Sequence, residues 1–231
     1  MGIPNTTINQ WLIHVMPGLS DPVKEKLKAI PGNVTKRGPI VEVPEHLKAK
    51  LPADYDAKLP NAFIAFDLKL PMEIAPEGVE EFLTPTFGEL AENAVREFIE
   101  GERILRKEGN PPGSKEFVVN VTAWMKTPPE SSVPMYAIQL LDNGRGMPKD
   151  LVSYILTHIE SQRGKAYQLP LNYRVEETGK LIGGYGIVMA VNYVLRLKGA
   201  FSVRAIEGRG TKIRMDIPVE ALHNIRAFIP A

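Results

Sequence analysis

Met135-Tyr136-Ala137-Ile138-Gln139-Leu140-Leu141-Asp142-Asn143-Gly144-Arg145-Gly146-Met147-Pro148 passes from an apolar, β-prone stretch directly into a carboxylate and two glycines. The alternation and the Tyr and Ile content of Met135 to Leu141 read as a buried strand. Asp142 stands at its end, and Gly144 and Gly146 lack the Cβ that would block close approach of a planar ligand. Pro148 opens a helix over 148–160. Upstream, Phe117 to Met125 is a second strand, joined to the first through a Pro128-Pro129 turn. Before it, a helix over 86–107 keeps Leu90, Ala94, Phe98, Gly101 and Leu105 on one face. Downstream, Tyr185 to Lys198 is helical, and Ala200 to Ile206 with Thr211 to Pro218 form a hairpin around Glu207-Gly208-Arg209-Gly210. Hairpin-paired strands with helices between them predict an α/β (α+β) two-layer sandwich. Its sheet is mixed, mostly antiparallel and covered on one face by helices.

The chain up to Glu77 reads differently. Half of the 20 prolines lie between Pro4 and Pro76, so helices there are short and extended segments common. Short helices are expected over 7–16, carrying Trp11, Leu12 and Val15, and over 20–30, and a strand over 62–70. The chain thus divides into a proline-rich arm or small subdomain (1–77), a compact α/β unit (78–220) and a tail (221–231). The apolar cluster Trp11, Leu12, Ile13, Val15 and Met16 suits either a second copy or protein partner, or an arm folded back on its own core.

Composition narrows the function. The chain has 231 residues, 44% of them apolar and 24% charged, with a net charge of +1, which excludes disorder, coiled coil and any global bias toward nucleic acid or membrane. Nucleic acid enters only indirectly, through a partner. No cysteine is present, which removes disulfides, thiolate zinc sites and thiol catalysis and fits a reducing compartment, the cytoplasm. No apolar run approaches the roughly 20 residues of a membrane span.

Three segments carry chemistry. Beside the Asp142 loop, Gly183-Gly184-Tyr185-Gly186 precedes a helix, whose first N–H groups suit phosphate. Glu89-Leu90-Ala91-Glu92-Asn93 places an acid and an amide four apart on one helical face, able to divide the activation of water from the holding of a hard cation. Each segment alone also fits a structural role: a DNG turn, a tight helix entry, a solvated helix face. No GxxxxGK[ST], complete GxGxxG, HExxH or GxSxG pattern occurs.

Together and in this order, the segments resemble the superfamily of ATPases and kinases shared by DNA gyrase, heat-shock chaperones, histidine kinases and mismatch-repair ATPases, called GHKL. Glu89xxxAsn93 is similar to its N box, Asp142-x-Gly144-x-Gly146-Met147 to its first glycine box, and Gly184-x-Gly186-Ile187 to its second. Gly208-Arg209-Gly210-Thr211 is similar to its closing GxGT element. The resemblance covers about residues 78–220 and implies a Bergerat-type sandwich with ATP between helices and sheet. It implies that Asp142 binds the adenine amino group with help from Thr211, and that Asn93 coordinates magnesium. Glu89 would polarise the attacking water, and the Gly184, Tyr185 and Gly186 amides would hold phosphates. Residues 149–182 would form a lid offering Arg163, Lys165 or Lys180 to the phosphates. In the gyrase-like pattern Glu97 and Arg145 also make an ion pair.

The branch is less defined. Glu89 with Arg145-Gly146-Met147-Pro148 looks gyrase-like, Glu89-Leu90-x-x-Asn93-Ala94-x-Arg96 with Gly184-Tyr185-Gly186 also resembles mitochondrial dehydrogenase kinases, and the GxGT ending resembles histidine kinases. No histidine lies in an HELR-type motif, and only a short tail, ending at Ala231, follows Pro218, so a nearly free-standing nucleotide domain is expected. Its expected function is Mg-ATP binding with slow hydrolysis, in which lid closure drives association with a partner or second copy. The alternatives are a compact protein kinase of the anti-sigma-factor type and a nucleotide sensor without turnover.

Overall fold

Apolar residues recur at 87, 90, 91, 94, 95, 98 and 99, the spacing of one continuous helical stripe, and all seven are buried. The helix they define, Thr84–Lys107, organises a computed structural model that describes residues 6–15, 34–39, 61–69, 73–74, 84–162 and 185–224. In chain order the elements are β1 (Thr6–Thr7), α1 (Ile8–Val15), β2 (Val34–Pro39), β3 (Ala62–Leu68), β4 (Glu73–Ile74), α2 (Thr84–Lys107), β5 (Phe117–Lys126) and β6 (Met135–Asp142). There follow α3 (Lys149–Gln162), α4 (Tyr185–Arg196), β7 (Ala200–Ile206), β8 (Gly210–Pro218) and α5 (Val219–His223).

Six strands form one sheet in the order β2-β3-β5-β6-β8-β7, while β1 and β4 make a separate two-stranded ribbon. Neighbours in the large sheet are antiparallel except β3 and β5. That parallel pair is joined through α2, as a parallel pair needs a crossover. One set of alternate residues enters the core, as with Ile64, Phe66 and Leu68 on β3 or Val119 and Val121 on β5. The helices pack on this face, so the chain is the two-layer sandwich with a mixed, mostly antiparallel sheet that its pattern predicts.

Two helices end in glycine-dependent closures. At the end of α2, Asn110 N–H donates to the Leu105 carbonyl (2.9 Å) and Gly109 N–H to that of Arg106 (3.0 Å). With Gly109 at φ 84°, this is a Schellman closure. Glu102, buried in the helix, accepts from Gly113 N–H (2.9 Å) and Arg106 Nε (3.2 Å), tying the connection to β5. Inside the same helix, Gly101 has its reason in packing, because a Cβ there would come within 2.9 Å of the Phe117 ring. Helix α4 stops at Arg196, short of the expected Lys198. Its closure puts Lys198 at φ 56°, with Gly199 N–H donating to the Val194 carbonyl (2.8 Å). Gly199 follows because a Cβ there would meet the Asp216 carbonyl oxygen at 2.4 Å.

Residues upstream of 78 contribute to the same core. Of the two readings of the Trp11 cluster, α1 takes the folded-back one, since Ile8, Trp11, Leu12 and Ile13 are all buried. Tyr136 on β6 reaches Asn9 of α1, its hydroxyl donating to Asn9 Oδ1 (3.1 Å), and β3 sits inside the large sheet. The side chains of Val15 and Met16, the expected helix over 20–30, most of the expected lid and the residues from 225 onward lie outside the described residues.

Candidate functional site

The loop after β6 is held from three sides. Its Asn143 accepts from Val118 N–H (2.7 Å) and donates through Nδ2 to the Glu116 carbonyl (2.9 Å), clamping the loop to the start of β5. Gly144 lies under α2, where a Cβ would stand 3.1 Å from Glu97 Cβ and 3.0 Å from Asp142 Oδ1. On the third side, Gly208 N–H of the β7–β8 turn donates to the Arg145 carbonyl (2.6 Å). Gly146 (φ 75°) and Gly210 (φ 112°) allow this docking, because added Cβ atoms would strike Ile206 O at 2.3 Å and Asp142 O at 2.1 Å. The close approach that these glycines permit is therefore that of the chain to itself, which the ligand-approach reading of the sequence did not anticipate.

Asp142 ends β6 with 6% of its surface exposed. Its Oδ1 accepts from Gly144 N–H at 2.9 Å, and the Thr211 backbone also donates to it. Burial nevertheless dominates and raises its pKa to about 6, with the Glu97 carboxylate adding to the effect. Glu97 in turn pairs with Arg145, Nε to Oε2 at 2.8 Å, the ion pair expected from the sequence.

These groups border a cavity of about 600 Å³ between α2 and the sheet. Leu90, Asn93 and Ala94 line it from α2, Leu140 and Asp142 from β6, and Thr211 and Ile213 from β8. Gly146, Met147 and Ile187 also line it, and of these wall residues Asn93, Asp142, Gly146, Met147 and Thr211 are candidate site residues of the sequence. Glu89 is not part of the wall: it is exposed, one turn before Asn93. Gly144 lies behind the wall, buried. Tyr185 and Gly186 form the first turn of α4, whereas Lys180, Gly184, Arg163 and Lys165 fall outside the described residues. Two groups quoted in the sequence patterns had been given no role at the site. Arg96 lines the cavity and donates to Asn93 Oδ1 at 3.3 Å, a contact that the i, i+3 spacing could have suggested. Glu207 joins the rim from the turn.

No family model and no curated protein matches the chain. Among solved structures, it is similar to the histidine kinase domain from Erythrobacter litoralis EL346 blue-light activated histidine kinase. The similarity covers 70% of this chain at 15% identity, with a TM-score of 0.33. The chain spans about half, 52%, of that chain's length.

The wall's chemistry sorts into an apolar slot with one buried acid and a polar flank along α2. Among the described residues no group of three or more His, Cys, Asp or Glu could hold a metal ion. Asn93 presents an amide oxygen at this wall, where it accepts from Arg96. The raised pKa of Asp142 has a measurable consequence. The folded state holds the proton more tightly than the unfolded one, whose value is 3.8. The stabilisation is therefore complete below about pH 4 and is lost as pH rises through 6, amounting to about 3 kcal/mol in all. Asp142→Asn should remove that slope from the urea-unfolding free energy measured between pH 4 and 7. A variant with the same slope as the wild type would show that Asp142 is not the group responsible.

Proposed function

We propose that the cavity is a nucleotide site of GHKL type that takes Mg-ATP, hydrolyses it slowly and couples closure of residues 149–182 to association with a partner or second copy. The observation that carries the reading is a single buried carboxylate, Asp142, oriented by Gly144 N–H on an otherwise apolar cavity floor beside Thr211. A carboxylate so placed accepts a hydrogen bond from the exocyclic amine of adenine, and guanine offers a carbonyl oxygen at that edge instead. The same cavity reaches Asn93 and Arg96 on α2, where an anionic chain meets an amide oxygen and a guanidinium.

The roles follow. Asp142 and Thr211 recognise the base, and Met147 and Ile187 cover its faces. Asn93 Oδ1 exchanges its contact with Arg96 for the metal. Glu89, one turn away, orients water, and the Gly184, Tyr185 and Gly186 amides, with Lys180 or another lid cation, receive phosphates. Magnesium, when bound, neutralises charge on the β- and γ-phosphates.

Calorimetric titration tests the base assignment. ATP and ADP should bind more tightly than GTP, and Asp142→Asn should weaken ATP by about 1–3 kcal/mol. Because the ionised carboxylate is the acceptor, wild-type affinity should also fall as pH drops below 6. Equal ATP and GTP affinities would overturn the reading. Following the γ-phosphate from labelled ATP into water or into a copurifying protein then separates ATPase from kinase, and binding without either identifies a sensor.

A further inference from the structure

The sheet face turned away from the helices carries an arrangement that the fold does not require. In the register, Lys212 of β8 lies directly opposite Arg204 of β7, and both are exposed. Like charges directly opposite on neighbouring strands destabilise a sheet. Among the described residues neither cation has an ion-pair partner. Two further cations of this face are engaged: Arg214 pairs with Asp216 (2.9 Å), as does Lys126 (2.6 Å). Exposed apolar residues flank the unpaired cations. Leu141 is the neighbour of Lys212 on β6 and is 39% exposed, and Ile206, two positions along β7 from Arg204, is 60% exposed. Strand β7 is an edge, hydrogen-bonded among the described residues to β8 alone.

We infer that this edge and face dock an extended acidic segment of a partner protein, which adds to β7 as a further strand. Main-chain pairing with the β7 edge supplies the contact common to strand addition. The side-chain period of two then fixes the sequence that fits. A carboxylate set beside Arg204 bridges toward Lys212, and the residue two positions away on the same face lies beside Ile206 and is aliphatic. Single-stranded nucleic acid is the competing anion. It binds such faces by stacking bases on aromatic rings, but among the described residues the rings of this face, Phe63 on β3 and Trp124 on β5, stand on strands away from β7, and Trp124 has the Arg214 guanidinium 5.1 Å from its ring centre. Aliphatic residues, rather than rings, border the unpaired cations.

The inference is independent of nucleotide binding, and its test is run on the full chain without nucleotide. The probe is a fluorescein-labelled, end-capped peptide of Glu-Thr-Val-Thr repeats, which sets Glu and Val alternately along one face (the Glu-Val peptide), with the Lys-Thr-Val-Thr equivalent (the Lys-Val peptide) and an oligothymidylate of similar length as comparisons. Fluorescence anisotropy should show saturable binding of the Glu-Val peptide alone. Arg204→Glu and Lys212→Glu should each weaken it at least tenfold, and backbone amide exchange should slow in β7 when it binds. Both positions are exposed, so the two substitutions serve as independent checks of each other. Absence of peptide binding, binding unchanged by both substitutions, protection that spares β7, or tighter binding of the oligothymidylate would each overturn the proposal.

Discussion

Replacing Glu89 by alanine should leave ATP affinity close to that of the wild type while lowering steady-state phosphate release by about 100- to 10,000-fold, the range typical of a lost general acid or base. A carboxylate that orients water contributes to the transition state and little to the ground state, so kcat falls while binding survives. Asn93→Ala should differ by weakening affinity as well, but only when magnesium is present, since it deletes the amide oxygen proposed to ligate the cation. Glu92 supplies an internal control, because it projects about 100° away from Asn93 around α2 and its replacement should leave both quantities nearly intact. Phosphate release and nucleotide titration on the three variants decide the register. Wild-type turnover in Glu89→Ala, with turnover lost in Glu92→Ala, would show that the helix had been read in the wrong frame.

The largest effect on stability should come from Trp11→Ala, at about 3–5 kcal/mol, the range for truncating a large aromatic in a packed core. Trp11 is 2% exposed, meets Phe87 edge-on with ring centres 5.3 Å apart, and donates through Nε1 to Thr84 Oγ1 at 3.1 Å. The substitution therefore removes a ring, an aromatic contact and a hydrogen bond that together join α1 to the first turns of α2. Against a typical total of about 5–15 kcal/mol, such a loss would leave a marginal fold. Trp11→Phe should lie between the wild type and the alanine variant, keeping most of the apolar contact and losing the N–H donor. Urea unfolding followed by far-UV circular dichroism measures both. A change below about 1 kcal/mol for the alanine variant, far under the range for a packed aromatic, would mean that α1 is not part of the cooperative unit. The same burial makes truncation of residues 1–18 an unsuitable test of association, because it would remove core.

Periodicity made the scaffold legible. The seven apolar positions of α2 and the alternation along β3, β5 and β8 follow directly from burial of one face, and so the two-layer sandwich could be predicted. The end of α4 could not, because it depends on Gly199 lying against the Asp216 carbonyl, a partner on a strand that comes later in the chain. At the site, Asp142 and Asn93 were recognisable from motif spacing, and Thr211 from the resemblance to the GHKL pattern. The function of the glycines in the Asp142 loop was read less well, since what their missing Cβ atoms admit is helix α2 and the β7–β8 turn, and a local motif carries no information about which distant backbone will arrive. Arg96, though part of a quoted motif, was given no role for the same reason: a surface arginine on a helix becomes part of a wall only once the sheet is opposite it.

The strand order also has a consequence for synthesis. Strand β8 is made after β7, yet it lies between β6 and β7. While a nascent chain emerges from the ribosome, β6 therefore presents an unpaired apolar edge until Pro218 is free, and β7 has no partner in the sheet to join. The turn that seats on the Asp142 loop arrives in the same final segment. Cavity and sheet are thus completed together and late, which makes the interval before Pro218 emerges the one in which a chaperone's protection of exposed strand edges matters most.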